Sequence, residues 1–236
     1  MRWGGEIDRG GKGALLRRMY RTWYWLLLSG FLGLIATLGE PTNLTQAKTA
    51  VRAYVDSGDY AQDIEKVAES VTDWIKARVD RRKPDEKLAI VLDIDETVLS
   101  NYPQMDREDF AYNRLDWVAW VDKGVAPAIE PMREVYREAR RQGVAVIFLT
   151  GRSDPAEKPG TLLNLGREGM DDFLRIFFKT DQDTAPTAAE RKVKRRAEME
   201  AQGWTIIASV GDQFSDFAGG HTERGFKLPN PFYEIP

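Results

Sequence analysis

An α/β fold built on a Rossmann-like, mainly parallel sheet with helices on both faces is predicted by three features of the chain. Residues 88–101, LAIVLDIDETVLSN, are an apolar run that ends abruptly in aspartates. Residues 144–150, VAVIFLT, form a second such run. Between and after them, segments of helical periodicity alternate with short apolar stretches, the pattern of strands joined by crossover helices. Continuous apolar runs of this length suit strands covered on both faces, and polar residues at their carboxyl ends lie where open α/β sheets bind ligands.

The amino-terminal segment has a different character. Residues 1–21 are glycine-rich and basic, with Arg17, Arg18 and Arg21 immediately before the uncharged stretch 22–39, TWYWLLLSGFLGLIATLG. Basic residues ahead of eighteen uncharged ones predict a signal-anchor with its amino end in the cytoplasm, or a signal peptide. The expected location is therefore extracytoplasmic, periplasmic or at the cell surface, held to the membrane by this segment or secreted after its cleavage. From about residue 45 to 236 the composition is that of one soluble domain.

Within that domain, Ala50, Val51 and Tyr54, then Ile64, Val67, Val71, Trp74 and Ile75, recur at helical spacing and are interrupted at Ser57 and Gly58. Two helices are predicted before the first strand. Pro131 opens a further helix, Met132, Val135, Tyr136 and Ala139 line one face, and Gly143 closes it. Residues 172–179 hold a third strand. Residues 188–202 are a charged helix ended by Gly203, and residues 204–210 a fourth strand that runs into Gly211 and Asp212. Asp93, Thr150 and Asp212 thus follow separate strands and are expected on one edge of the sheet.

Composition excludes several chemistries. The chain has no cysteine, so disulfides, thiolate metal sites and cysteine nucleophiles are ruled out. Its one histidine, His221, rules out a multi-histidine metal site. A net charge of −3 does not suit a nucleic-acid binder.

DIDET at 93–97, FLTGR at 148–152, a lysine before a strand and GDQFSD at 211–216 resemble the four ordered motifs of haloacid dehalogenase (HAD)-type phosphatases. Val51, Tyr54, Ser57, Gly58, Tyr60 and Asp63, then Asn101, Trp117 and Trp120, and FKLPNPFY at 226–233 narrow the likeness. They resemble the acid phosphatase branch with bacterial class B and C enzymes and plant vegetative storage-type phosphatases. The resemblance implies a HAD-like domain, an insertion at about 102–128 acting as a small cap, and hydrolysis of small phosphomonoesters, nucleoside monophosphates among them.

The residue types fit that chemistry. A phosphomonoester brings about two negative charges to a site already acidic, and like charges about 4 Å apart repel by roughly 4 kcal/mol at an effective dielectric of 20. A divalent cation is required, and oxygen-only ligands favour Mg²⁺. The resemblance makes Asp93 the nucleophile and Asp95 the general acid and base. It assigns the metal to Asp93, the backbone carbonyl of Asp95, and Asp212, with Asp216 in indirect support. Thr150, Gly151 and Lys192 would hold phosphate oxygens, Lys179 and Lys194 being the rivals of Lys192. Trp117 and Trp120 would pack a helix or stack on a substrate ring. The alternatives are a non-catalytic storage or binding protein on the same scaffold, and a phosphotransferase. A partner other than the substrate and the membrane is not implied.

Overall fold

The computed structural model describes residues 42–235, so the anchor or signal at 1–39 lies outside the described residues. Among the described residues no helix is long and apolar enough to cross a membrane.

Helices α1 (Leu44–Asp56) and α2 (Asp59–Val79) meet at Gly58, whose φ of 85° is a left-handed conformation that glycine adopts without a steric penalty. The break is where the sequence puts it. Strands β1 (Lys87–Leu92), β2 (Ala145–Ser153), β3 (Arg175–Lys179), β4 (Trp204–Gly211) and β5 (Gly225–Lys227) form one five-stranded sheet in the order β3-β2-β1-β4-β5. Every pairing in it is parallel. Alternate residues of β1 point into two separate cores: Leu88, Ile90 and Leu92 into one, Ala89 and Val91 into the other.

Ile64, Val71 and Ile75 of α2 and Met132, Val135 and Ala139 of α5 (Glu130–Arg141) close the larger core. Met199 of α7 (Ala188–Ala201) closes the smaller one. Helices therefore cover both faces, as the continuous apolar strands require.

The insertion after β1 contains α3 (Tyr102–Arg107) and α4 (Arg114–Lys123). Asn113 caps α4 by accepting the Leu115 N–H at 2.9 Å, and Gly124 ends it with a φ of 56°. Besides α3, two elements lie beyond the sequence expectation. Helix α6 (Lys158–Arg167) follows β2, and β5 adds an edge next to β4. Because β1 is central and flanked by β2 and β4, Asp93, Thr150 and Asp212 come out at adjacent strand ends.

Candidate active site

Asp93 directly follows β1, and its N–H donates to the Val210 carbonyl at 3.0 Å, extending the β1–β4 ladder into the site. Its carboxylate is buried and accepts from Lys192 Nζ at 2.7 Å. The same ammonium donates to Asp216. Lys192 lies on α7, in the helix that leads into β4, and so reaches the site from the face opposite the cap. Between Lys192, Lys179 and Lys194, the geometry brings Lys192 to Asp93.

Asp93, Asp212 and Asp216 each offer a carboxylate oxygen, all mutually within 4.8 Å and all buried. The 3₁₀ turn Phe214–Asp216 folds the Asp216 carboxylate back beneath Gly211, and the Gln213 N–H holds Asp216 Oδ2 at 2.8 Å. Gly211 permits this approach, because a Cβ there would lie 2.0 Å from Asp216 Oδ2.

Three carboxylates against one ammonium leave the cluster doubly negative if all ionise. Burial, together with the charges of Asp216, Asp212 and Asp95, pushes the Asp93 carboxyl up, against the pull of Lys192. Burial and then Asp216 raise Asp212 to about 6. Burial disfavours the Lys192 ammonium, but the charges of Asp93 and Asp216 outweigh it and keep it protonated. A set of hard oxygen donors with surplus negative charge fits a divalent cation.

Asp95 points elsewhere. Its carboxylate accepts from Arg152 Nη2 at 2.7 Å and Nε at 3.0 Å, and from Asn101 Nδ2 at 2.8 Å. Arg152, itself buried, donates onward to Thr161 Oγ1 at 3.0 Å. Asn101 is fixed in turn by the Trp120 Nε1–H at 2.9 Å. Trp120 is thus a buried positioning residue. Trp117 lines the cavity, donates to Glu157, and lies 5.7 Å from the Arg152 guanidinium.

Thr150 ends the apolar part of β2 and is fully buried; its Oγ1 accepts the Arg152 N–H at 3.0 Å. Gly151, beside it, faces the cavity. His221 pairs with Glu200 at 2.6 Å on the surface, outside this cluster.

The carboxyl-terminal segment adds residues that sequence reasoning did not assign. Asn230 Nδ2 donates to Asp212 Oδ2 at 2.6 Å, and Gln213 Nε2 to the same oxygen at 2.5 Å. Tyr233 donates its hydroxyl proton to Glu96 Oε2 at 2.7 Å. Glu96 is buried with a φ of 50°, a left-handed conformation unusual for a side chain of this size, and accepts the Asn101 N–H at 2.6 Å. Burial raises its carboxyl to about 8, the Asp95 charge adding to the effect. Phe232 packs against Tyr60, Tyr102 and Phe110. The FKLPNPFY motif was legible, but only the fold shows where its Asn and Tyr point.

These groups border a cavity of about 850 Å³, lined by Phe110, Tyr112, Trp117 and Phe232 and by residues of β2 and α7. A buried aspartate on a central parallel strand, bonded to a lysine and set among further carboxylates at the mouth of such a cavity, defines a phosphoryl-transfer enzyme of the haloacid dehalogenase type. The family model of the HAD superfamily, subfamily IIIB (acid phosphatase), matches residues 39–236, and the chain belongs to that family.

Acid phosphatase 1 of Solanum lycopersicum is 32% identical over 207 residues, spanning 83% of this chain and 80% of that protein. The stem 28 kDa glycoprotein of Glycine max is 33% identical over 192 residues, 79% and 74% of the two chains. The class C acid phosphatase from Bacillus anthracis shares the fold, with a TM-score of 0.67 at 23% identity over 81% of this chain and 86% of that one. The chain is a phosphomonoesterase acting on small phosphate esters.

Proposed function

We propose that the chain hydrolyses phosphomonoesters through an aspartyl-phosphate on Asp93, with Mg²⁺ held by Asp93, Asp212 and the backbone carbonyl of Asp95, and by Asp216. The observation that carries this reading is the Lys192 ammonium 2.7 Å from the Asp93 carboxylate inside a buried acidic cluster. Bound there, a divalent cation would supply positive charge, and Asp93 would ionise beside its acidic neighbours and a phosphate dianion.

Asp93 then attacks phosphorus, forming an O–P bond as the ester O–P bond breaks. Asp95 gives a proton to the departing alkoxide. In the second step Asp95 takes a proton from water, the water oxygen bonds to phosphorus, and the Asp93–P bond breaks to release inorganic phosphate. Arg152 and Asn101 hold Asp95 in place for both transfers. Lys192 and the Gly151 N–H stabilise the developing charge on the phosphoryl oxygens, while Thr150, fully buried, accepts the Arg152 N–H beside them.

Phe110, Tyr112 and Trp117 offer flat apolar faces for an aryl group or nucleobase, which supports nucleoside monophosphates as substrates. The domain extends from about residue 45 to 236, and extracytoplasmic placement through residues 22–39 goes with it. The intact nucleophile favours catalysis over storage.

Hydrolysis of an aryl phosphate by the full chain, with and without chelator and beside Asp93→Asn, tests the chemistry. The expected result is loss in both cases, with return on adding Mg²⁺. Activity that survives both treatments rejects the mechanism. For the substrate class, turnover of a 5′-nucleotide relative to glycerol phosphate should exceed unity and fall in Trp117→Ala; an equal preference in both proteins rejects it.

A further inference from the structure

Most cationic side chains that line the cavity are already matched to acids. Arg114 pairs with Glu157 at 2.8 Å, Arg152 with Asp95, and Lys192 with Asp93 and Asp216. Lys179 is exposed to solvent. Arg191 is different, because only 7% of it is exposed and it makes no ion pair among the described residues.

Arg191 Nη1 donates to the Thr150 carbonyl at 3.0 Å. On the same side, a Cβ placed on Gly151 would lie 4.0 Å from Nη2, so the guanidinium flanks the Thr150–Gly151 segment of β2 where Gly151 lines the cavity. A guanidinium carries five N–H donors, and the Thr150 carbonyl uses one nitrogen of the fork. The acid whose charge acts on it most, Asp183, is engaged by Arg195 at 2.8 Å, and the next, Asp93, by Lys192. Burial pulls its pKa down by more than the charges of Asp183 and Asp93 raise it. A buried charge without a counter-ion is costly, and a fork of free donors matches the oxygens of phosphate or carboxylate in a bidentate way.

We infer that Arg191 is a second anion-binding cation of this site, alongside Lys192, and that it contacts anionic oxygens of the bound ester on the Thr150–Gly151 side of the cavity. The inference rests on the phosphatase reading above. Two parts of a substrate can supply such oxygens: the phosphoryl group being transferred, or a second acidic group on the leaving alcohol.

The test compares the full chain with Arg191→Gln and Arg191→Lys, using phenyl phosphate, 4-carboxyphenyl phosphate and inhibition by inorganic phosphate. If the transferring phosphoryl is the ligand, Arg191→Gln raises the inhibition constant of phosphate at least tenfold and lowers kcat/KM equally for both esters. If a leaving-group anion is the ligand, the loss is confined to the carboxyphenyl ester. In either case Arg191→Lys restores part of the loss, because it retains the charge. Values within twofold of wild type for all three measurements overturn the inference.

Should Arg191→Gln not fold, modification of the wild-type protein by an arginine-selective dicarbonyl, mapped by mass spectrometry, reads the same contact. Phosphate or the carboxyphenyl ester should slow labelling at Arg191, and equal labelling with and without both overturns the inference. A wild-type chain that neither hydrolyses phenyl phosphate nor is inhibited by phosphate overturns the phosphatase reading itself. Hydrolysis and inhibition that are indifferent to Arg191 overturn the inference alone.

Discussion

Removing divalent metal should make the fold lose stability as pH rises between 5 and 8, and Mg²⁺ should suppress much of that loss. Asp212, with 2% of its surface exposed, is raised from 3.8 to about 6 by burial and the Asp216 charge. A group whose pKa is higher in the folded state keeps its proton longer there, so its stabilising effect is complete below about pH 4 and is lost as pH passes 6. For Asp212 that loss is about 3 kcal/mol. Glu96, raised from 4.5 to about 8, behaves with the same sign over a higher window and contributes about 5 kcal/mol at its limit. Acids with lowered values, such as Glu86 at about 2, stabilise above their unfolded range and contribute equally at pH 5 and pH 8. Mg²⁺ at one hundred times its dissociation constant adds about 2.7 kcal/mol, and does so most where Asp212 is ionised. Urea unfolding in EDTA and in MgCl₂, at pH 5 and pH 8, measures both effects, and Asp212→Asn should flatten the slope between pH 4 and 6. Greater stability at pH 8 than at pH 5 in EDTA, or a Mg²⁺ effect of equal size at both, would refute the reasoning.

Asn230→Ala removes the 2.6 Å donor to Asp212, and should weaken Mg²⁺ or Mn²⁺ binding by about tenfold, the loss of one charge-assisted hydrogen bond, read directly by calorimetry. Gly211→Ala forces a Cβ against the Asp216 carboxylate, so activity should drop by at least tenfold and the melting temperature should fall, whereas an unaltered enzyme would mean the turn can shift without consequence. Arg152→Met leaves Asp95 with Asn101 alone. Because Arg152 is buried but Asp95 keeps 17% of its side chain exposed, a stability loss of about 2 kcal/mol is expected, together with an altered pH profile of kcat.

The sheet was readable because its strands are covered on both faces, so β1, β2 and β4 appear as unbroken apolar runs with polar ends. Asp93 and Asp212 were readable for the same reason, since each directly follows a strand whose position the sequence marks, whereas Lys192 lies inside α7 and was singled out from Lys179 and Lys194 by the resemblance alone. Helix α6 was not readable, because Gly160 and Gly166 weaken its helical signal. Gly160 is there for a tertiary reason, since a Cβ at that position would meet the Val121 carbonyl of α4 at 2.2 Å. Strand β5, three residues long, is too short to carry a periodicity. Arg152, Asn101 and Asn230 stood out as motif residues, but their pairing with Asp95 and Asp212 was not legible, because it joins segments far apart in the chain. The nearness of Asp216 to Asp93 and Asp212 was not legible, because the 3₁₀ turn produces it.

The contact between Tyr233 and Glu96 joins positions 137 apart in the sequence, and that between Asn230 and Asp212 joins the last strand's exit to the one before it. Both contacts are made by residues that follow β5, outside the strand pairings, so they can open while the sheet persists. A native-like sheet can therefore exist without an acidic cluster that has all its donors. In a refolding experiment, intrinsic fluorescence and secondary structure should recover ahead of hydrolytic activity, and under mild denaturant activity should disappear while the sheet is still intact.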